Sequence, residues 1–428
     1  MSQDQLINAC LDKMKAAGFD RVQLELDESE KHELNQQHSE INLLRTGFNT
    51  NLQITGISDS RRASLSLNRL DSESVDQAIA DLSDMAEGSP QDDAYDIAPN
   101  QPAEEFTLGA EQADAGLMYD RLSAFIEYTK NNHPTTILEE AVIDFTHHKT
   151  RIVNSNGVNF TVNQGAYNAY AMFTSKSGGD TSSFNYSGFS STTLEKELQH
   201  EAHLAELLKQ SEEQVKTRQI AKKFTGDLVI TPHAMDDFIG FLTSNISDGQ
   251  MIAGTSIYKE AVNTAVTSPL LTLHCQPRST TLASAYPLTG DGIVAQNTTL
   301  VNKGILNSYL LNQFGANKTG LPIALNDGDN MIMDAGETEL DDLIAGVEKG
   351  ILLGRFSGGS PNDKGDFSGV AKNSYYIENG KILYPVSETM VSGNIASVLK
   401  EVNAVSRQQV DFGNCAYSWI RSPGLVIS

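Results

Sequence analysis

The sequence predicts an α+β protein. Its first half should be helices packed on mixed or antiparallel sheets, and its second half β-rich, barrel-like, with a few helices. Three observations carry this. Apolar stripes of helical period bracket runs of alternating residues, and the order helix, strands, helix occurs twice before residue 222. The polar, Pro-containing stretch EGSPQDDAYDIAPNQPAEE, residues 87–105, separates the two runs. After residue 222 the chain is rich in Gly and Asn and carries two hairpin signatures. A chain of 428 residues exceeds one ordinary core. Domains of 1–221 and 222–428 are expected, the first holding the 87–105 linker or long loop.

The first helix is expected over residues 3–16. Leu6, Ile7, Cys10, Leu11 and Met14 form its stripe, Ser2 and Gln5 have capping-box spacing, and Gly18 stops it. Val22, Leu24 and Leu26, then Leu52 and Ile54, then Ala63, Leu65 and Leu67 alternate as strands do. Val75, Ile79, Leu82 and Met85 predict a second helix ending near Gly88. A helix over 117–131, strands over 136–189 and a helix over 192–214 repeat the order, a sign of duplicated units. Past residue 226, DLVIT reads as a strand, and Thr231-Pro232 as N-cap and first turn of a helix buried through Met235, Phe238, Ile239, Leu242 and Ile246. TLVNKGILNSYLL and YYIENGKILYPV read as hairpins. Asn379-Gly380 is the stronger turn, because a type I′ turn needs positive φ at both central positions. Helices near 337–348 and 393–400 complete the series.

Composition narrows the function classes. There are 55 acidic against 31 basic residues, a formal charge of −24, and no long basic run. Direct binding to nucleic acid, which draws on Lys and Arg against phosphate, is not expected. No apolar run is long enough to span a bilayer, and the N-terminus lacks the pattern of a secretory signal, so a cytoplasmic location without membrane contact is expected. Cys10, Cys275 and Cys415 cannot form a disulfide framework and read as reduced thiols.

The stretch LQHEAHLAELL, residues 198–208, invites a metal reading. A zincin spaces its helical His four apart, as H-E-x-x-H, whereas here the spacing is H-E-x-H. On an unbroken helix His200 and His203 lie about 60° apart. They would face solvent, with Glu201 toward the apolar side of Leu194, Leu198, Ala205 and Leu208. The stretch therefore reads as an exposed helix face. His147-His148 and His274-Cys275 fall in expected strands, where neighbours diverge. His233, in a first helical turn, should be neutral. RFSGGSPNDKGDFSG lacks P-loop spacing and reads as a turn-bearing loop, a lid or substrate edge.

Residues 365–394, GDFSGVAKNSYYIENGKILYPVSETMVSGN, carry a resemblance. Gly365, Asp366, Phe367, Ser368, Gly369, Ile377, Glu378, Asn379, Gly380, Tyr384, Pro385, Val386, Gly393 and Asn394 match the signature of the TldD/PmbA family, once called modulators of DNA gyrase. SPLLTL at 268–273 and NSNGVNFTVNQGAYNAYAMF in the first half match in order, so the resemblance covers nearly the whole chain. It implies one of two branches. The TldD-like branch carries H-E-x-x-x-H on the helix after the first strand of the second half, with a C-terminal Cys ligand. The matching positions here read IGFLTS, residues 239–244, and the surroundings of Cys415 differ from the family's Gly-rich pattern. The chain thus resembles the PmbA/TldE branch. That implies a subunit without catalytic residues, metal or other cofactor of its own. Its partner would be a TldD-like subunit bearing zinc, and peptides or unfolded proteins the substrate. In isolation the chain could pair with itself. Gly365 to Gly369, Glu378, Asn379, Gly380, Pro385, Gly393 and Asn394 would then form a peptide-binding edge. Two other readings stay open: a self-sufficient peptidase or amidase using Cys415 or Cys275, and a regulatory protein acting on gyrase or a toxin–antitoxin system.

Overall fold

The computed structural model describes residues 3–37 and 40–428, and the observations below concern those residues. The Ser2 side of the expected capping box lies outside them. The first part of the chain runs α1 (Gln3–Ala16), β1 (Arg21–Gln37), β2 (Glu40–Ser58), β3 (Arg61–Leu67), α2 (Ser72–Gly88), β4 (Glu104–Gly109), α3 (Ala115–Asn132), β5 (Thr136–Asn154), β6 (Asn159–Ser177), β7 (Asp180–Thr181), β8 (Asn185–Ser191) and α4 (Leu204–Glu213). Their strands form one sheet in the order β3-β2-β1-β5-β6-β4, with β7 and β8 also on β6. All pairs are antiparallel except β4 with β6.

Four helices cover one face of this sheet. Ile7, Cys10 and Met14 of α1 and Val75, Ile79 and Leu82 of α2 pack on Val22, Leu24, Leu26 and Ile54. Met118, Leu122 and Phe125 of α3, with Leu204 and Leu208 of α4, pack farther along on Leu34, Ile143, Phe145 and Phe173. The even spacing from Leu24 to Leu34 puts both clusters on the same side of β1. The opposite face is polar: Asp27 pairs with His148, and Lys31 with Glu33 and Asp144. Helix α2 runs through its expected Gly88 stop and is capped by Ser89, while Asp71 caps its start by accepting from the Ser74 N–H.

The second part runs β9 (Phe224–Ile230), α5 (Met235–Asn245), α6 (Asp248–Ala253), β10 (Leu273–Cys275), β11 (Thr298–Asn302), β12 (Ile305–Leu306), α7 (Gln313–Thr319), β13 (Met331–Met333), α8 (Leu340–Ala345), β14 (Lys349–Leu353), β15 (Arg355–Ser357), β16 (Asp366–Lys372), β17 (Tyr375–Glu378), β18 (Lys381–Pro385), β19 (Thr389–Asn394), α9 (Ile395–Lys400), β20 (Ala404–Asp411) and β21 (Ala416–Ile427). These strands form a 13-stranded mixed sheet whose main path is β12-β11-β10-β13-β21-β9-β14-β17-β18. Strands β9 and β14 pair in parallel, as do β13 and β21. Strand β9 is buried on both faces, so Leu228 and Ile230 join the large core under α5 while Val229 joins a second core under α8. Helix α8 is shorter than the 337–348 expected.

Residues 87–105 do not behave as a linker. They form a strap docked on the second part of the chain. Lys318 binds Asp92 at 2.8 Å, Asn317 donates to the Ala94 carbonyl at 2.9 Å, and Gln313 to the Ile97 carbonyl at 3.1 Å. Tyr95 stacks on Phe314, and Ala94, Ile97 and Ala98 are buried. The acceptors for α7 are backbone carbonyls of Ala94 and Ile97, which side-chain composition does not reveal.

Candidate binding cleft

The 192–214 segment is not one helix. Leu198–His200 makes a single 3-10 turn, residues 201–203 break it, and α4 begins at Leu204. Ala202 and His203 sit at φ 44° and 63°, in the left-handed region. Each such residue costs on the order of 1–2 kcal/mol. Two side chains hold the break. Ser187 Oγ donates to the Ala202 carbonyl at 3.0 Å, and His233 Nε2 donates to the same oxygen at 3.2 Å. A carbonyl only accepts, so His233 carries its proton on Nε2.

The break overturns the exposed-helix expectation for His203. His200 remains exposed, but the His203 ring turns inward, 5.3 Å from Trp419 and 6.3 Å from His233 between centroids. Glu201 reaches Lys196 at 3.4 Å instead of the apolar side. Burial lowers the pKa of His203, and burial with the nearby His203 lowers that of His233 to about 4. Both rings are therefore neutral at pH 7. The remaining His motifs stay apart. His148 faces Asp27, and His274 sits between Thr299 and Asp334.

His203 lies in a cavity of ≈470 Å³ between α4 and β8 on one side and β14, β15, α8 and β21 on the other. Its apolar wall includes Leu207, Ile344, Leu352 and Trp419, and its polar wall includes Asn185, Asn373 and Arg355. Arg355 lies over the rings of Phe184 and Tyr186, at 4.5 and 5.4 Å from their centroids. Ile382 of β18 lines the same cavity, and β18 ends the main path of the sheet. None of the residues on the polar wall was singled out in the sequence. The one available signal was the lone Trp419.

A second cavity, of ≈500 Å³, shares Asp236, Asn414 and Cys415 with the first. Its α5 wall carries Ile239, Gly240 and Thr243, within the segment that the family resemblance matches to a zinc motif. These side chains do not fit a metal: Ile and Gly offer no donor, and zinc takes His, Cys or carboxylate ligands. No group of three or more His, Cys, Asp or Glu among the described residues is placed to hold a metal ion. Burial pushes the Cys415 thiol up to about 12, and the Cys275 thiol likewise. A nucleophilic Cys needs the opposite shift and an exposed position.

The signature residues sit behind the cleft and outside its lining. Asp366 and Asn394 face each other across β16 and β19, with Asn394 Nδ2 donating to Asp366 Oδ1 at 2.9 Å and its Oδ1 capping α9 at Ser397. Phe367 packs against Phe238 and Phe356. Ser368 bonds Ser392 across the same strands, and Gly393 lies opposite Phe367. A side chain on Gly365 would press on Phe241, and one on Gly369 on Phe356. Asn379 and Gly380 form the type I′ turn at φ 50° and 71°, its tip bonded to Glu348 and Val347. Glu378 accepts from Tyr376, and the Pro385 carbonyl accepts from the Arg218 N–H. These residues shape the framework from which Asn373 and Ile382 project.

Residues 224–428 match the family model described as PmbA/TldA metallopeptidase C-terminal domain. Among curated proteins, a metalloprotease TldD homolog of Haemophilus influenzae is 27% identical over 173 residues, 37% of this chain and 36% of that protein. A metalloprotease PmbA homolog of Buchnera aphidicola is 26% identical over 195 residues, 42% of this chain and 43% of that protein. The chain thus matches less than half the length of each. The crystal structure of TldE from Thermococcus kodakarensis superposes with a TM-score of 0.85 at 16% identity, covering 99% of this chain and 100% of that one. This likeness establishes a shared α+β fold. No helix among the described residues is long and apolar enough to cross a membrane.

Proposed function

Because the chain belongs to the TldD/PmbA family, we propose that it is the subunit without metal in a two-chain metalloprotease of the TldD/TldE type. It forms chamber wall and holds peptide or unfolded substrate, while a TldD-like partner supplies zinc and hydrolyses the bond. One observation carries this reading. Where the family resemblance puts a zinc motif, α5 turns Ile239, Gly240 and Thr243 toward a cavity backed by a buried, protonated Cys415. The wall has the shape of a site and lacks the ligands for one. Beside it, the first cleft opens along the β18 edge, and an extended peptide can add to such an edge through main-chain hydrogen bonds.

The test uses the purified chain, a TldD-like relative and the two together. Metal content is measured on the first, and hydrolysis of an unfolded protein such as reduced casein on all three. The chain alone should carry no stoichiometric zinc and cleave nothing, and it should raise cleavage when added to the partner. Stoichiometric zinc, or hydrolysis by the chain alone, overturns the proposal.

A further inference from the structure

The polar wall of the cleft holds three atoms with no partner inside the protein, each just beneath the cleft surface and closed to solvent in this conformation: Asn185 Nδ2, Arg355 Nε and Asn373 Oδ1. Asn185 and Asn373 are each only 5% exposed. A buried polar group without a hydrogen bond costs about 1–3 kcal/mol, so three of them on one wall call for a ligand. Their other atoms are engaged and fix their direction. Asn185 Oδ1 accepts from the Tyr186 N–H at 3.0 Å, and Asn373 Nδ2 donates to the Phe184 carbonyl at 3.3 Å. Arg355 Nη2 reaches that carbonyl at 3.4 Å. The rings of Phe184 and Tyr186 lie against the guanidinium face, leaving its N–H edge. Among the described residues no carboxylate stands within ion-pair distance of Arg355, although Asp237 acts on it through space.

The free set is therefore two donors, one of them cationic, and one acceptor, beside an apolar wall. A sulfate or chloride ion would use the donors and leave Asn373 Oδ1 unsatisfied. A peptide chain end uses all of them. Its carboxylate takes the Arg355 edge and Asn185 Nδ2, its last backbone N–H meets Asn373 Oδ1, and its terminal side chain meets Leu352 and Trp419. Arginine suits a carboxylate because its planar fork matches both oxygens. Asp236, Glu206 and Asp341 also line the cavity and favour a cation upstream of the end. The volume of ≈470 Å³ lies in the range of small-ligand pockets. Ile382 sets β18 along one border, giving the rest of the chain an edge to follow.

We infer that this cleft binds the free C-terminal carboxylate of a peptide ending in an apolar residue, with Arg355, Asn185 and Asn373 as its polar contacts. The inference rests on the peptide-handling reading above and specifies which end of the peptide this subunit holds.

Trp419, the only tryptophan, lines the cleft and reports occupancy by its fluorescence. The full chain is titrated with a tripeptide carrying an N-terminal lysine and a C-terminal leucine, as free acid and as amide, and with free leucine. The free acid should change the Trp419 emission and bind at least tenfold tighter than the amide or free leucine. Asn185→Asp keeps the acceptor for Tyr186 and replaces the free donor by a charge repelling carboxylate. It should weaken the free acid at least tenfold and cost the amide less, because a terminal carboxamide N–H can still donate to the new carboxylate. Arg355→Gln should erase the preference for acid over amide, with thermal melts confirming that each variant is folded. Equal binding of acid and amide, tightest binding by free leucine, or no response to any probe overturns the inference. If partner-dependent proteolysis persists while peptide binding fails, only this inference falls. If the chain binds peptide acids yet proves to be a zinc protease alone, only the subunit reading falls.

Discussion

At His233 a hydrogen bond and a burial effect act on the same ring. Its Nε2–H holds the Ala202 carbonyl, and burial keeps the ring neutral with a pKa near 4. In the unfolded chain the value returns to about 6.5. Between these values the unfolded state binds more protons, so this contribution is fully present above about 6.5 and is lost as pH falls toward 4. It amounts to roughly 3 kcal/mol at full extent. His203, also lowered by burial, acts in the same direction. Several carboxylates act oppositely; desolvation raises Asp327, for one, to about 6. A variant comparison therefore isolates the effect better than one stability curve. His233→Gln keeps an N–H for Ala202 and removes the titration. Urea midpoints measured from pH 7.5 down to 4.5 should show wild type losing its advantage over the variant, mostly below pH 6. Parallel curves would show that the ring is not held neutral.

Two turns of the same type invite opposite substitutions at the scale of the element. Asn379-Gly380 joins β17 to β18, and Lys303-Gly304 joins β11 to β12, with Lys303 at φ 45°. Lys carries the full left-handed cost that Asn largely escapes. Its side chain is exposed, so Lys303→Asn should raise stability by about 0.5–1 kcal/mol, read as a higher melting temperature. Gly380→Ala should lower stability by more than about 1 kcal/mol, because φ is 71° and the new Cβ would stand 2.6 Å from the Ala345 carbonyl. Such turns were legible because their signal lies within a dipeptide. So was the buried stripe of α5, written at helical spacing from Met235 to Ile246. The break at 201–203 was not legible. Its cause is Ser187, 15 residues away, and His233, 31 residues away, both bonded to the Ala202 carbonyl. Local periodicity continues through HEAH, so a reader of the sequence extends the helix and turns His203 outward.

For the whole molecule the same limit decides what could be read. The two-part strand pattern and the family signature are sequential, and both were visible. The cleft is assembled from Asn185, His203, Arg355, Asn373 and Trp419, which meet only because the two sheets dock. The docking itself can be probed through the strap, which composition marks as a linker or long loop and the structure shows bound. If the bonds from α7 hold it, chymotrypsin should cut slowly at Tyr95 in the native protein, since that ring stacks on Phe314 at 4.9 Å. The double variant Gln313→Ala, Asn317→Ala removes the donors to the Ile97 and Ala94 carbonyls. Each lost bond should cost about 1 kcal/mol of local stability. Native-state cleavage in the fast-reclosing regime follows the open population, so two such bonds predict roughly tenfold faster cutting or more. The sheet cores contain neither side chain, so global melting should move far less than strap cleavage. Rapid cutting of the wild type would return residues 87–105 to the status of a free linker.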